Sequence, residues 1–158
     1  MEIEGKINGQ IKQGFMVLVG ITNDDNEEIV DKMVNKLINL RIFEDENEKL
    51  NLSLMDIKGE ILSISQFTLY ANCKKGRRPS FLDAAKPEIS KPLYEYFNQA
   101  LENAGVHTEQ QSSWTVKKSY SHKAKKRSVK IVSFNHDKKI RIKKQRYKGR
   151  KRVKERKK

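Results

Sequence analysis

The basic residues of this chain are concentrated in its last third. Residues 112–158 contain 21 of the 34 Lys and Arg residues but only two of the 20 acidic ones, a net charge of +19. Residues 1–111 carry 13 basic and 18 acidic side chains, a net charge of −5. A segment so charged and so poor in apolar residues cannot bury a core of its own. We therefore predict a globular domain over residues 1–111 and a basic, disordered tail over residues 112–158.

The composition also excludes several classes of protein. The single cysteine, Cys73, permits no internal disulfide and no cysteine-rich zinc site, so we expect neither a metal nor another cofactor. No stretch approaches the roughly 18 consecutive apolar residues of a membrane span. We therefore expect a cytoplasmic protein without a membrane partner, and the positive tail indicates an anionic partner such as RNA.

The apolar pattern of residues 1–111 predicts an α/β fold, with a mixed sheet packed against two main helices. Phe15–Ile21 is short, apolar and rich in β-branched residues, as in a strand buried on both faces. Asn8-Gly9 predicts a hairpin turn before it. Glu60–Phe67 predicts a second strand, continuing through Tyr70.

Two helices are expected to cover this sheet. The first has apolar residues at helical spacing at Ile29, Met33, Leu37 and Leu40. The second is expected to be capped by Ser90 and to end before Gly105. Residues 71–92 hold all three prolines and a basic cluster at 74–78, which predicts a long loop between the second strand and this helix.

Hydroxyl side chains at Ser63, Ser65 and Thr68 are candidate nucleophiles without a visible base. No carboxylate lies between residues 61 and 82, and the histidines are at 107, 122 and 136, so a Ser-His-Asp triad is not indicated. Two interpretations of residues 65–68 remain. In the first, they form an ordinary strand end whose side chains alternate between the two faces of the sheet. In the second, their backbone N–H groups hold the oxyanion that develops while water attacks a substrate carbonyl.

The basic cluster and the aromatic residue after it also leave alternatives open. The run from Lys74 to Arg78 is either a solvated loop or a grip on phosphates. Phe81, two residues after Pro79, is either an anchor in a pocket or a plug of the core beneath the loop, and the core plug is favoured.

Four motifs occur in an order that is specific to one family. They are Leu40–Asp45 (LRIFED), Leu50–Leu54 (LNLSL), Ser65–Ala71 (SQFTLYA) and Lys75–Phe81 (KGRRPSF). With these motifs the chain resembles the bacterial D-aminoacyl-tRNA deacylase family over about residues 2–109. The resemblance implies hydrolysis of the ester that joins a D-amino acid, or glycine, to the 3′-terminal ribose of tRNA, as translation quality control. It also implies a homodimer that needs no metal.

The resemblance further implies roles for particular residues. Ser65, Gln66, Phe67 and Thr68 would line the catalytic pocket, where backbone atoms bind the substrate and the neighbouring ribose hydroxyl assists the chemistry. Thr68 would act as a positioning residue. Arg77, Arg78 and Phe81 would lie beside the bound aminoacyl-adenosine, with the arginines suited to phosphate contacts.

Two features of the family are not found in this sequence. One is its usual first strand, and the other is a C-terminal Asn-x-Gly-Pro signature whose cis Gly-Pro bond excludes L-amino acids from the partner subunit's pocket. Here the prolines follow Arg78, Lys86 and Lys91. We therefore expect impaired activity and weak discrimination between D- and L-amino acids. The alternatives are a non-catalytic RNA-binding protein that acts through the basic tail, or an inactive fragment whose tail is read in another frame.

Overall fold

The structure, a computed structural model, describes residues 10–74 and 77–111, together with the backbone of four strands outside those ranges. Two helices, one short 3₁₀ helix and nine strands make up the described chain. In chain order they are β1 (Glu2–Ile3), β2 (Lys6–Ile7), β3 (Gly14–Val19), α1 (Glu27–Ile38), β4 (Phe43–Glu44), β5 (Leu50–Leu52), β6 (Glu60–Ser65), the 3₁₀ helix (Phe67–Tyr70), α2 (Pro87–Asn103), β7 (Thr108–Gln111), β8 (Val129–Phe134) and β9 (Arg141–Lys143).

A mixed sheet of five strands, ordered β7-β6-β3-β8-β9, organises the molecule. The strand predicted to be buried on both faces is β3, which lies at the centre and pairs in parallel with β6 and β8. Strand β7 adds in parallel to β6, whereas β9 is antiparallel to β8. The predicted α/β class and the order strand, helix, strand, helix are confirmed.

Both predicted helices form and share a core with the sheet. Helix α1 begins after Asn26, whose side-chain oxygen accepts a hydrogen bond of 3.0 Å from the Ile29 N–H, and it buries Val30, Val34 and Leu37. These residues pack with Phe15 and other side chains of the sheet and of α2. Neither helix of the described chain is long and apolar enough to cross a membrane.

The start of α2 differs from the prediction. The helix begins at Pro87, so Ser90 lies inside it and is not its cap. A proline at the first helical position loses no helical hydrogen bond and has a suitable φ, which explains the earlier start. The end is as predicted, because Gly105 follows the helix with a φ of +84°.

The N-terminal hairpin turn and the end of β6 also differ from the sequence prediction. The N-terminal hairpin exists, but Ile3 pairs with Lys6, so its turn precedes Asn8-Gly9. Strand β6 ends at Ser65 and does not continue through Tyr70. The 3₁₀ helix that follows packs over Gly20, where an added Cβ would lie only 3.1 Å from the Leu69 Cβ. The absence of a side chain at Gly20 thus permits the 3₁₀ helix to pack closely against the chain after β3.

Two strands of the basic segment lie within the main sheet. Strands β8 and β9 lie in the segment that was predicted to be disordered, and β8 pairs with β3 along its whole length and with β9 on its other side. The expectation of a disordered tail therefore does not hold for these strands. Pairing of β8 with β3, and of β9 with β8, provides partners for backbone groups of both strands, which composition alone could not reveal. The remainder of residues 112–158 lies outside the described residues.

Candidate active site

A pocket of about 310 Å³ opens at the carboxyl ends of β3 and β6. Parallel neighbouring strands end at the same edge of a sheet, and ligands of open α/β sheets bind beyond that edge. Apolar side chains and two serines line it: Val19, Ile21, Ser65, Phe67, Phe81, Ala84, Ala85, Pro87 and Ser90. Its size suits a small-molecule group such as an amino acid or a nucleoside.

Two parts of the chain form opposite walls of this pocket. One wall comes from the strand ends, with Val19 at the end of β3, Ile21 two residues beyond it and Ser65 at the end of β6. The other wall is the segment 81–90, which joins the long loop to the first turn of α2. A rigid sheet therefore faces a largely irregular segment across the pocket.

Three of the seven predicted site residues line the pocket. Ser65 is buried in its wall, and the aromatic rings of Phe67 and Phe81 meet edge to face at a centroid distance of 5.3 Å. Phe67 is 50% exposed and Phe81 38% exposed, so the favoured core-plug interpretation of Phe81 is wrong. These two rings present an aromatic rim on which a flat base can stack.

The other four predicted residues lie beside the pocket rather than in its walls. The Gln66 side-chain amide donates a hydrogen bond to the Thr68 hydroxyl, and neither residue lines the pocket. The predicted alternation of a strand does not extend past Ser65, because a 3₁₀ helix begins at Phe67. Arg77 and Arg78 are exposed in a loop that is closed by two backbone hydrogen bonds between Asn72 and Ser80, of 2.8 and 2.9 Å. Within the described residues, neither arginine forms an ion pair with an acidic side chain.

The described lining of the pocket contains no acid or base, and the start of the 3₁₀ helix adjoins it at Phe67. None of the lining residues in the described chain is ionisable. The N–H groups of Phe67 and Thr68 are the first two of the 3₁₀ helix, so they have no acceptor within it. Of the three histidines, His107 is exposed near β7, and the other two lie outside the described residues. This arrangement suits a reaction in which backbone groups stabilise negative charge.

A buried polar cluster supports the pocket from behind. The Tyr94 Oη lies 2.9 Å from the Gln111 carbonyl oxygen and 3.0 Å from that of Ser63, and it accepts a bond from the Ser63 hydroxyl at 3.1 Å. Burial raises the pKa of the Tyr94 phenol. Since Tyr94 is one helical turn after Ser90, these bonds anchor the helical part of the pocket wall to β6 and β7.

Sequence reasoning missed six of the nine lining residues. Val19 and Ile21 had a usable signal, because they end the most apolar strand and such ends converge with those of parallel neighbours. The segment with Ala84, Ala85, Pro87 and Ser90 had none, because its approach to the sheet depends on contacts between residues about sixty positions apart.

The fold and this pocket define a small α/β protein with a candidate ligand site at the ends of parallel strands and no ionisable group in the described lining. The family described as D-Tyr-tRNA(Tyr) deacylase matches residues 1–145, and the chain belongs to that family. The resemblance stated from the four motifs is therefore confirmed. The match also extends beyond residue 109, into the basic segment that the motifs did not cover.

Individual relatives agree with this assignment. The chain is 55% identical over 109 residues to a D-aminoacyl-tRNA deacylase of Bacillus pumilus, an alignment that covers 69% of this chain and 74% of the relative. A solved structure titled c-Myc DNA Unwinding Element Binding Protein shares 35% identity, with a TM-score of 0.55 over 60% of this chain and 66% of the other. A probable eukaryotic D-amino acid tRNA deacylase shares the fold, with 20% identity and a TM-score of 0.50 over 81% of this chain and 77% of the other.

Proposed function

We propose that this protein hydrolyses the ester bond of D-aminoacyl-tRNA, and of tRNA mischarged with glycine, releasing the free amino acid and tRNA. The observation that carries the proposal is the pocket at the ends of β3 and β6, which has an aromatic rim and lies next to the first turn of the 3₁₀ helix. Membership of the deacylase family and the 55% identity to a named deacylase support it.

The chemistry follows from a pocket that offers no base. Water adds to the ester carbonyl carbon, and the negative charge that develops on the carbonyl oxygen is held by the N–H groups of Phe67 and Thr68. The bond to the ribose 3′ oxygen then breaks, its electron pair stays on that oxygen, and the proton released by water ends there. The neighbouring ribose hydroxyl of the substrate relays this proton, because the described lining of the pocket contains no base.

The other residues bind the nucleotide end of the substrate. Phe67 and Phe81 would stack on the terminal adenine, and Arg77 and Arg78, both exposed and without an acidic partner in the described chain, would contact phosphates. Residues 1–111 would supply the pocket and residues 112–158 additional contacts to RNA. We further propose that the protein acts in the cytoplasm as a homodimer, in translation quality control.

A pocket-filling variant tests the proposal. The unmodified protein should release D-Tyr from D-Tyr-tRNA well above the uncatalysed rate. Ala84→Leu, in the pocket wall, should lower kcat/KM at least about tenfold because added methyl groups occupy substrate space. Ala104→Leu, at the opposite end of α2, is the matched control and should keep full activity. No hydrolysis by the unmodified protein, or equal rates for both variants, would contradict the proposal.

A second function, binding of RNA without sequence preference, is favoured by the +19 charge of residues 112–158. Each phosphate neutralised by a cation releases counterions, so affinity should fall steeply with salt. Replacing the ten Lys and Arg residues of the segment 144–158 by Gln keeps β8 and β9 and should flatten this salt dependence. The affinities for tRNA and for an unrelated RNA of equal length should be measured at rising salt concentration. Affinities that do not change with salt would contradict this function.

A further inference from the structure

The irregular wall of the pocket is hydrogen-bonded to the chain just after β3. Segment 81–86 has no strand of its own, yet it supplies Phe81, Ala84 and Ala85 to the pocket. A turn within the segment is closed by a hydrogen bond of 3.1 Å from the Ala84 N–H to the Phe81 carbonyl. Its distance from the strand ends sets the width of the pocket, so whatever fixes that distance affects the fit of the substrate.

Thr22 makes this connection. Its hydroxyl donates a hydrogen bond of 2.7 Å to the Asp83 carbonyl, and its backbone forms an isolated antiparallel bridge with Ala84. Next to it, the Ala85 N–H donates to the Ile21 carbonyl at 2.9 Å. In the described part of the chain, the Thr22 hydroxyl provides the one side-chain hydrogen bond between the chain after β3 and segment 81–86.

Thr22 is itself held in place. It is 9% exposed, and its N–H donates a hydrogen bond of 2.8 Å to the Asp25 carboxylate, which closes a short turn before α1. Thr22 is not among the residues that line the pocket. Any influence on substrate binding must therefore pass through the position of residues 81–85.

We propose that Thr22 is a positioning residue that holds the wall from Phe81 to Ala85 at the spacing that the D-aminoacyl-adenosine end of the substrate requires. The inference rests on the proposed function, since that function names the occupant of the pocket. Without the Thr22 hydroxyl, the Asp83 carbonyl loses this hydrogen bond and the backbone bridge, to which the Ala85–Ile21 hydrogen bond belongs, remains. The wall then has more freedom to move away from the sheet.

The variant Thr22→Val removes the hydroxyl and keeps the branched shape. It should weaken binding of an amide-linked, non-hydrolysable D-tyrosyl-adenosine analogue about fivefold, the factor that corresponds to one ordinary hydrogen bond. KM for D-Tyr-tRNA should rise by a similar factor while kcat changes little. Amide hydrogen exchange of the segment 81–86 should become faster, and Thr22→Ser, which keeps the donor, should restore all of these quantities.

Thr108→Val is the matched control, because Thr108 is also buried and its hydroxyl also donates to a backbone carbonyl, that of Val106, at 3.2 Å. It should leave Kd, KM and the exchange of segment 81–86 unchanged. Equal Kd values for the two valine variants, or unchanged exchange in Thr22→Val, would overturn the inference about Thr22. An unmodified protein that binds the analogue without hydrolysing D-Tyr-tRNA would overturn the proposed function alone, and one that does neither would overturn both.

Discussion

At the scale of single residues, the phenol of Tyr94 connects three elements through one oxygen. Its contacts to Ser63 and to the Gln111 carbonyl join α2 to β6 and β7 in a region without water access. Tyr94→Phe keeps the ring and removes the oxygen, which leaves buried polar groups unpaired. We expect a loss of about 1–3 kcal/mol in the free energy of unfolding. Urea denaturation measures this, and a loss near zero would show that the cluster contributes nothing.

The same residue predicts a dependence of stability on alkaline pH. Burial raises the pKa of Tyr94 in the folded state above that of a tyrosine in the unfolded chain, about 10. The stabilisation of its neutral form is therefore complete below pH of about 10 and is lost as the pH rises through the folded-state pKa. The stability gap between the unmodified protein and Tyr94→Phe should narrow above pH of about 10. A gap that stays constant between about pH 8 and 11 would contradict the assignment.

Thr68 provides a further test at this scale. Its hydroxyl accepts a hydrogen bond from the Gln66 amide and lies outside the pocket lining, whereas its backbone N–H is a proposed oxyanion donor. Thr68→Val keeps that N–H, so kcat for D-Tyr-tRNA should fall by less than about tenfold, an effect of one neutral hydrogen bond. A loss of about a thousandfold in single-turnover experiments would instead make the hydroxyl a catalytic group.

At the scale of elements, the close approach of the 3₁₀ helix to β3 places Phe67 at the pocket. An added methyl group at Gly20 would lie 3.1 Å from both Leu69 and Tyr70, so the 3₁₀ helix would have to shift. Gly20→Ala should therefore lower kcat/KM several-fold. Gly105→Ala is the contrasting variant, since it meets no atom within 4 Å but has a φ of +84°. It should cost about 1 kcal/mol of stability and leave activity intact.

At the scale of the whole molecule, β8 pairs with the edge of β3 that faces away from β6. The predicted disordered tail provided no strand for this edge. A chain ending at residue 111 loses β8 and β9 and exposes that edge of β3. The apolar burial lost with the two strands is set against a net stability of only about 5–15 kcal/mol for a typical domain. We expect it to aggregate, whereas a chain ending at residue 143 keeps both strands and should unfold cooperatively. Light scattering and thermal denaturation compare the two, and equal behaviour would show that β8 is dispensable.

Selectivity is also a property of the whole molecule. The sequence contains no Gly-Pro pair, so the wall that the family resemblance assigns to the rejection of L-amino acids cannot be formed by that peptide bond. The rates for matched D-Tyr-tRNA and L-Tyr-tRNA should therefore differ by less than about 100-fold, the range of discrimination by pocket shape alone. Strict selectivity for the D-substrate would show that another part of the chain supplies the filter.

Several features of the fold could be predicted from the sequence because they depend on local order. The apolar run of β3 predicts a buried strand, and the spacing of apolar residues in α1 predicts a helix with one buried face. Each pattern is contained within about ten residues of the chain. Gly105 after α2 marked its end for a similar local reason. The four family motifs placed Ser65, Phe67 and Phe81 at the pocket, since these motifs include the residues themselves.

Other features were decided only by the tertiary structure, because they arise between distant parts of the chain. Pairing with β3 orders β8 within a segment whose composition predicted disorder, since backbone hydrogen bonds are independent of net charge. The hydrogen bond from Thr22 to the Asp83 carbonyl brings the far wall to the pocket across 61 positions. The sequence by itself thus determined which segments are buried and which residues mark the site, while the long-range contacts determined the shape of the pocket between them.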